Sequence, residues 1–243
     1  MVNNDKLLQA RDEAVSALEK GIGTRGEKLL HRTLKYYLEP DSSYHEKECF
    51  GSIADIRNNS GIIEIQTRSF GKLVPKLERF LPEEKVTVVY PVIENKYICR
   101  IDTETGVSSA PRKSPKRGKL WDALSEISMI RRFIPSPNLT VLVVMVDITE
   151  TRLIQGKIRV GRKVTDKIDA IPTSLNSVIS LSRAEDYRKL IPEGLPEEFT
   201  SEQFERISGL RGLGAHGALM LLLQLGIFSR ERKGREPYVY TIN

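Results

Sequence analysis

The stretch LTVLVVMVDI, residues 139–148, constrains the fold most, because it is apolar at nearly every position and bounded by Pro137 and by charge. A strand that shows one face to water alternates, so near-continuous hydrophobicity means burial on both faces, as in the central strand of a layered sheet. Helices must then cover both sides of that sheet. The expectation is an α/β chain. Its 243 residues allow one sizeable α/β unit and a smaller second one.

The other elements agree. Leu7, Leu8, Ala14, Val15 and Leu18 give a helical stripe over 5–19, and Leu29, Leu30, Leu34, Tyr37 and Leu38 give a second over 25–38 that stops before Pro40. VPKLERFL reads as a helix, VTVVYPVI and KYICRID as two strands, and 121–130 as a helix, whereas 151–172 gives no clear element beyond a charged hairpin and a loop. The expected division is 1–180 and 185–243, with the boundary between Thr173 and Pro196. No apolar run approaches the roughly 18–20 residues a membrane span requires, and 1–15 lacks a signal peptide's hydrophobic stretch, so a cytoplasmic location without a membrane partner is expected. Cys49 and Cys99 do not have the spacing of a zinc site.

The chemistry concentrates in SIADIRNNSGIIEIQTRS. Asn58-Asn59-Ser60-Gly61 is a turn between two Ile-rich runs, which predicts a hairpin. A four-residue turn pairs Arg57 with Ile62 and sets Asp55 across from Glu64, with Glu64 and Gln66 on one face and Ile63 and Ile65 on the opposite, buried side. Two carboxylates placed opposite each other repel, so they need a shared proton or a cation between them. Mg²⁺ takes oxygen ligands, typically one or two carboxylates with waters and a phosphate oxygen, and Asp55 and Glu64 suit it as metal ligands. Such an ion polarises a scissile phosphate and acidifies a bound water, which is what phosphodiester hydrolysis needs.

Glu27 in an early helix, Asp55 in one strand and Glu64-Ile65-Gln66 in the next resemble the PD-(D/E)XK nuclease superfamily. GTRGEKLLHRTLKYYLEP followed by SIADIRNNSGIIEIQTRS is most similar to archaeal Holliday junction resolvases and related restriction-endonuclease-like proteins. The resemblance covers about residues 20–100. It implies a restriction-endonuclease-like mixed sheet flanked by helices, Mg²⁺ (or Mn²⁺) held by Asp55 and Glu64, and Glu27 as a further ligand or as the residue orienting a metal-bound water. The customary lysine is Gln66 here. Its carbonyl oxygen can still ligate metal or hold the attacking water, while Arg68 on the same strand face, or Lys72, supplies positive charge.

Lys plus Arg exceed Asp plus Glu, 38 against 32, and the excess is clustered. Arg112, Lys113, Lys116, Arg117 and Lys119 form a Pro- and Ser-broken stretch suited to tracking phosphates, and Arg230, Arg232, Lys233 and Arg235 form another. In the second region Thr200 and Gln203 make a capping box, an apolar helix spans 215–225, and FSRERKGREPYVYTI reads as a hairpin. That order resembles a small C-terminal winged-helix domain over about 185–243. Its second helix offers only His216 and Gln224 to base edges, so it packs in the core or forms a homodimer contact while the wing grips the DNA backbone.

The expected function is therefore a divalent-metal-dependent endodeoxyribonuclease. The alternatives are a catalytically weakened nuclease-fold protein that binds DNA or regulates, which the Gln66 substitution favours, and a transcriptional regulator with a ligand-sensing α/β domain.

Overall fold

Pro91 lies inside a strand and not between two. In the computed structural model, which describes residues 2–19, 28–159, 162–232 and 234–243, the two runs VTVVYPVI and KYICRID, read as separate strands, join through Glu94 and Asn95 into one continuous element that includes Pro91. The chain runs α1 (Asn4–Glu19), α2 (Leu29–Leu38), β1 (His45–Cys49), β2 (Ser52–Asn58), β3 (Gly61–Ile65), α3 (Val74–Phe80), β4 (Val86–Asp102) and β5 (Arg112–Lys113). It continues with α4 (Ala123–Ile127), β6 (Leu139–Arg159), β7 (Arg162–Leu181), β8 (Glu198–Thr200), α5 (Ser201–Ser208), α6 (Gly212–Gln224), β9 (Phe228–Glu231) and β10 (Val239–Ile242). The result is an α/β chain with a large mixed sheet flanked by helices. The sheet order is β1-β2-β3-β4-β6-β7 with β5 on β4, where β2–β3 is antiparallel and β3–β4 parallel.

Two compact units interleave along the chain: residues 1–45, 93–118 and 144–178 form one, and 46–92, 119–143 and 179–243 the other. In the first, the Asn3 side chain accepts a hydrogen bond from Lys6 N at 2.9 Å and so caps α1. Leu7, Ala10, Ala14 and Ala17 then recur on one buried face of that helix, and the small alanines let it approach Leu30 and Leu34 of α2 closely. Of the segment 151–172, unclear in the sequence, residues 151–159 and 162–172 fall in the two long strands β6 and β7.

In the second unit, the Asn58 side chain accepts from Ser60 N at 2.9 Å and closes the turn into Gly61. Gly61 has φ 115°, and a side chain there would meet the Lys85 carbonyl oxygen at 2.4 Å, so only glycine lets β3 start flush beside β4. Pro75 sits in the first turn of α3, where its missing N–H costs nothing. Leu73, Leu77 and Phe80 drop from the α3 segment into the core with Phe70.

The C-terminal residues belong to the same unit. The capping box at Thr200 and Gln203 forms with bonds of 3.3 and 2.7 Å. Phe199, Phe204, Phe228 and Tyr240 stack into an aromatic core under a three-stranded sheet ordered β8-β10-β9. Helix α6 lies on α4 and the 3-10 segment after it, and Gly217 makes room: a Cβ there would fall 2.4 Å from Ser128 Oγ. Trp121 Nε1 donates to the Ser208 carbonyl at 2.9 Å, tying the two segments further. Among the described residues no helix is long and apolar enough to cross a membrane.

Candidate active site

The β2–β3 register pairs Ile56 with Ile63, Arg57 with Ile62 and Asn58 with Gly61. One further pair in the same register brings Asp55 opposite Glu64, as the four-residue turn requires. Each acid reaches the other strand. Asp55 N donates to Glu64 Oε1 at 3.4 Å, and Asp55 Oδ2 accepts from Ile65 N at 2.7 Å. The two carboxylates therefore flank one another on a common face.

That face is not the open side of the hairpin. Glu64 is only 2% exposed, beside buried Ile62, while Ile63 on the other side is half-buried. The expected polar face is corrected here to a buried one, while Ile65 on the opposite side is buried as expected and Ile63 only partly. After β3 the chain crosses over to parallel β4, which sets Glu64 next to Val88, and α3 brings Lys76 over the carboxylate. Lys76 Nζ donates to Glu64 Oε1 at 3.0 Å and to Oε2 at 2.8 Å. Burial pushes the Glu64 carboxyl up to about 7, the nearby Asp55 charge adds to that rise, and the Lys76 ammonium opposes it.

Lys76 is the site residue that sequence reasoning missed. A signal existed: Lys72, Lys76 and Arg79 are spaced by four and three, one face of a helix, directly after the acidic strand. Arg79 Nη1 donates to the Gly51 carbonyl, so this cationic face also holds the β1–β2 turn.

Gln66 follows the last residue of β3, with its backbone N on the Val89 carbonyl at 2.9 Å. Its amide nitrogen donates to the carbonyls of Arg68 and, at 3.3 Å, of Ser69, which holds the bend where Ser69 takes φ 61°. The carbonyl oxygen is the end left to accept. Arg68 was expected on the strand face; β3 stops at Ile65, and Arg68 lies exposed in the bend. Lys72 is likewise exposed. Past the bend, Phe70 N donates to Glu126 Oε2 at 2.9 Å and the Phe70 ring meets Tyr90 edge-on at 5.2 Å, which fixes the lip of the site. Burial, with the charges of Glu126 and Asp122, pushes the Tyr90 hydroxyl up to about 12. Glu27 lies outside the described residues.

The basic candidates are dispersed. Arg112 and Lys113 form β5 against β4, so this part of the stretch is anchored and not a loop; Arg117 pairs with Glu94, and Lys116 is exposed. Lys119 lies 4.8 Å over the Trp121 ring. Arg230 and Arg232 both stack on Tyr238, at 4.6 and 5.3 Å, and Arg235 is exposed; Lys233 lies outside the described residues. On α6, His216 and Gln224 are exposed, and Gln224 Nε2 is spent on the Arg131 carbonyl at 3.1 Å.

Among the described residues no group of three or more His, Cys, Asp or Glu is arranged to hold a metal ion. The pair Asp55 and Glu64 nevertheless fits a hard divalent cation. Their oxygens are the ligand type such ions take, and Glu64 keeps its carboxyl raised chiefly through burial and then through the neighbouring Asp55 charge, with Lys76 hydrogen-bonded to it.

A model of the family described as "Domain of unknown function (DUF8091)" matches residues 28–182, a span that holds the acidic hairpin and β4, β6 and β7. A protein of Treponema pallidum (strain Nichols) bearing the description "Uncharacterized protein" is 35% identical over 225 residues, covering 90% of this chain and 86% of that relative. No solved structure matches the chain.

Proposed function

The chain belongs to the DUF8091 family, and from the geometry of its acidic hairpin we propose that it is a divalent-metal-dependent endodeoxyribonuclease. The observation that carries this reading is the mutual contact of Asp55 and Glu64 across β2–β3, with Lys76 on the Glu64 carboxylate. The order of Asp55, Glu64 and Gln66 along the hairpin supports the likeness to PD-(D/E)XK nucleases, and the mixed sheet with helices is compatible with it. The strand and helix order β8, α5, α6, β9, β10 supports a winged-helix reading of the C-terminal residues.

Asp55 and Glu64 would hold Mg²⁺ or Mn²⁺, which supplies Lewis acidity towards a phosphate oxygen and eases deprotonation of water. The residues of the chain do the rest. Lys76, arriving from α3 and not from the strand, would supply the positive charge that the usual lysine supplies. Its ammonium has three donors, and turning from Glu64 towards a bound phosphate lets it neutralise charge as the P–O bond to the leaving group breaks. The Gln66 carbonyl can accept a hydrogen bond from the attacking water. Water adds to phosphorus and gives up a proton to solvent, the P–O bond to the leaving oxygen breaks, and that oxygen takes up a proton from solvent to leave as a hydroxyl.

A second reading is a DNA-binding or regulatory protein of weakened hydrolysis. It draws on Gln66, whose amide is engaged in holding a bend. Incubating labelled duplex and four-way junction DNA with Mg²⁺ or Mn²⁺ separates the two. The nuclease reading expects metal-dependent cutting that falls at least about 100-fold in Asp55→Asn and in Glu64→Gln. Cutting that persists in both variants removes the site assignment. DNA binding without any cutting selects the second reading.

A further inference from the structure

Glu150 on β6 is 3% exposed and sits among three cations. Arg152 donates to Glu150 Oε1 from Nε at 2.7 Å and approaches it with Nη2 at 2.6 Å; Lys167 Nζ on β7 lies 2.8 Å from Oε2, and Lys96 Nζ on β4 lies 3.8 Å from the same oxygen. One buried carboxylate needs one positive charge. Here three cations surround the one carboxylate they share. A group that served only to neutralise Glu150 would not be built with threefold redundancy, because each added like charge costs repulsion.

The geometry leaves much of this cluster's bonding capacity unspent. An ammonium carries three donors and a guanidinium five. Lys96 is too distant for a hydrogen bond to Glu150, Lys167 uses one donor, and Arg152 turns two towards the same oxygen. The three side chains are 26%, 42% and 30% exposed, so the remaining N–H groups meet solvent. Glu150 acts as an internal counter-ion that fixes the cations in place before a ligand arrives.

The patch extends along the sheet. Lys96, Ile98 and Arg100 share one face of β4, flanked there by Glu94, which pairs with Arg117, and by Asp102, and the β5 register places Arg112 beside Ile98 on that face. Cations from four strands, about 4.8 Å apart from one strand to the next, match a run of phosphates better than a single compact anion.

We infer that Lys96, Arg152 and Lys167, preset by Glu150, form a binding site for the phosphodiester backbone of duplex DNA. The choice of DNA rests on the nuclease reading; the site itself does not use Asp55 or Glu64.

The test is the affinity of the full chain for a fluorescent 30-base-pair duplex, titrated without divalent metal across a range of salt concentrations. The variant is Lys96→Gln/Lys167→Gln, which leaves Arg152 on Glu150 so that the buried carboxylate keeps a partner. The expected result is an affinity at least about tenfold lower and a plot of log K against log salt that is shallower by about 1.8, two phosphate contacts at about 0.9 each. An unchanged affinity and slope in a variant with the wild-type circular dichroism spectrum overturns the inference, and so does tighter binding of an RNA duplex of equal length. Because no metal is present, failure to cut DNA in the cleavage assay leaves this result standing, and the converse also holds.

Discussion

Two glutamates show almost no surface to water, Glu64 in one compact unit and Glu150 in the other, yet Glu64 lies deeper within its surroundings, and their carboxyls move in opposite directions. Glu64 faces a second acid and a single ammonium, so burial dominates and its carboxyl rises to about 7. Glu150 suffers burial too, yet hydrogen bonds from Lys167 and Arg152, with the charge of Lys96 added, hold it below the usual carboxylate range. Depth of burial and the cations in contact together decide the state of such an acid. An acid raised by burial is a place that can take up a cation. One held low by several cations marks a surface that can take up an anion.

The largest effect should come from removing the first acid. Asp55→Asn and Glu64→Gln are each expected to lower metal-dependent DNA cleavage by about 100-fold or more, whereas Glu150→Gln in folded protein should leave the bond-breaking step of bound DNA intact, as single-turnover rates will show. Stability should separate the two in the other direction. Glu150→Gln strands three cations around a neutral group and should cost about 3 kcal/mol at pH 7 in urea unfolding, as for other buried pairs robbed of one partner.

The pH dependence carries opposite signs. A carboxyl raised in the folded state binds its proton more tightly there than in the unfolded chain, so its contribution is complete below about 4.5 and is lost as pH climbs to about 7. Metal-free protein should therefore lose on the order of 2–3 kcal/mol across that window, and Glu64→Gln should flatten the loss. Glu150, lowered in the folded state, contributes above the unfolded value and gives that up as pH falls through its folded value. Urea midpoints recorded from pH 4 to 8 on wild type and both variants check the pair of signs.

The smallest effects compare the cations. Lys76→Met removes the one ammonium on Glu64 and should cost about 1–2 kcal/mol at pH 8. Lys167→Met leaves Arg152 and Lys96 at Glu150, and a change under about 1 kcal/mol is expected. Equal costs would show that the redundancy at Glu150 is not real.

The sequence was informative where local chemistry determines local structure. Asn58 and Gly61 dictate a turn, the turn dictates the register, and the register opposes Asp55 and Glu64; Thr200 and Gln203 announce α5 in the same way. Legibility ended where distant residues decide. Pro91 and the polar 94–102 argue against one long strand, but the Asp147 side chain accepts from Asn95 N at 3.0 Å and from Asn95 Nδ2 at 2.9 Å and so supports the backbone through the polar half. The charged 151–172 gave only a charged hairpin and a loop, because the buried Glu150 that holds Arg152 and Lys167 lies outside the segment. Lys76 was hidden because α3 has only seven residues, too few for periodicity to say which face meets β3.

Calorimetric titration of Mn²⁺ into the full chain at pH 8, repeated on Glu64→Gln, addresses the central claim without reference to any substrate. The account predicts saturable binding in the wild type with displacement of Lys76 from Glu64, and at least about tenfold weaker binding in the variant. Mn²⁺ binding of equal strength in both proteins would contradict it.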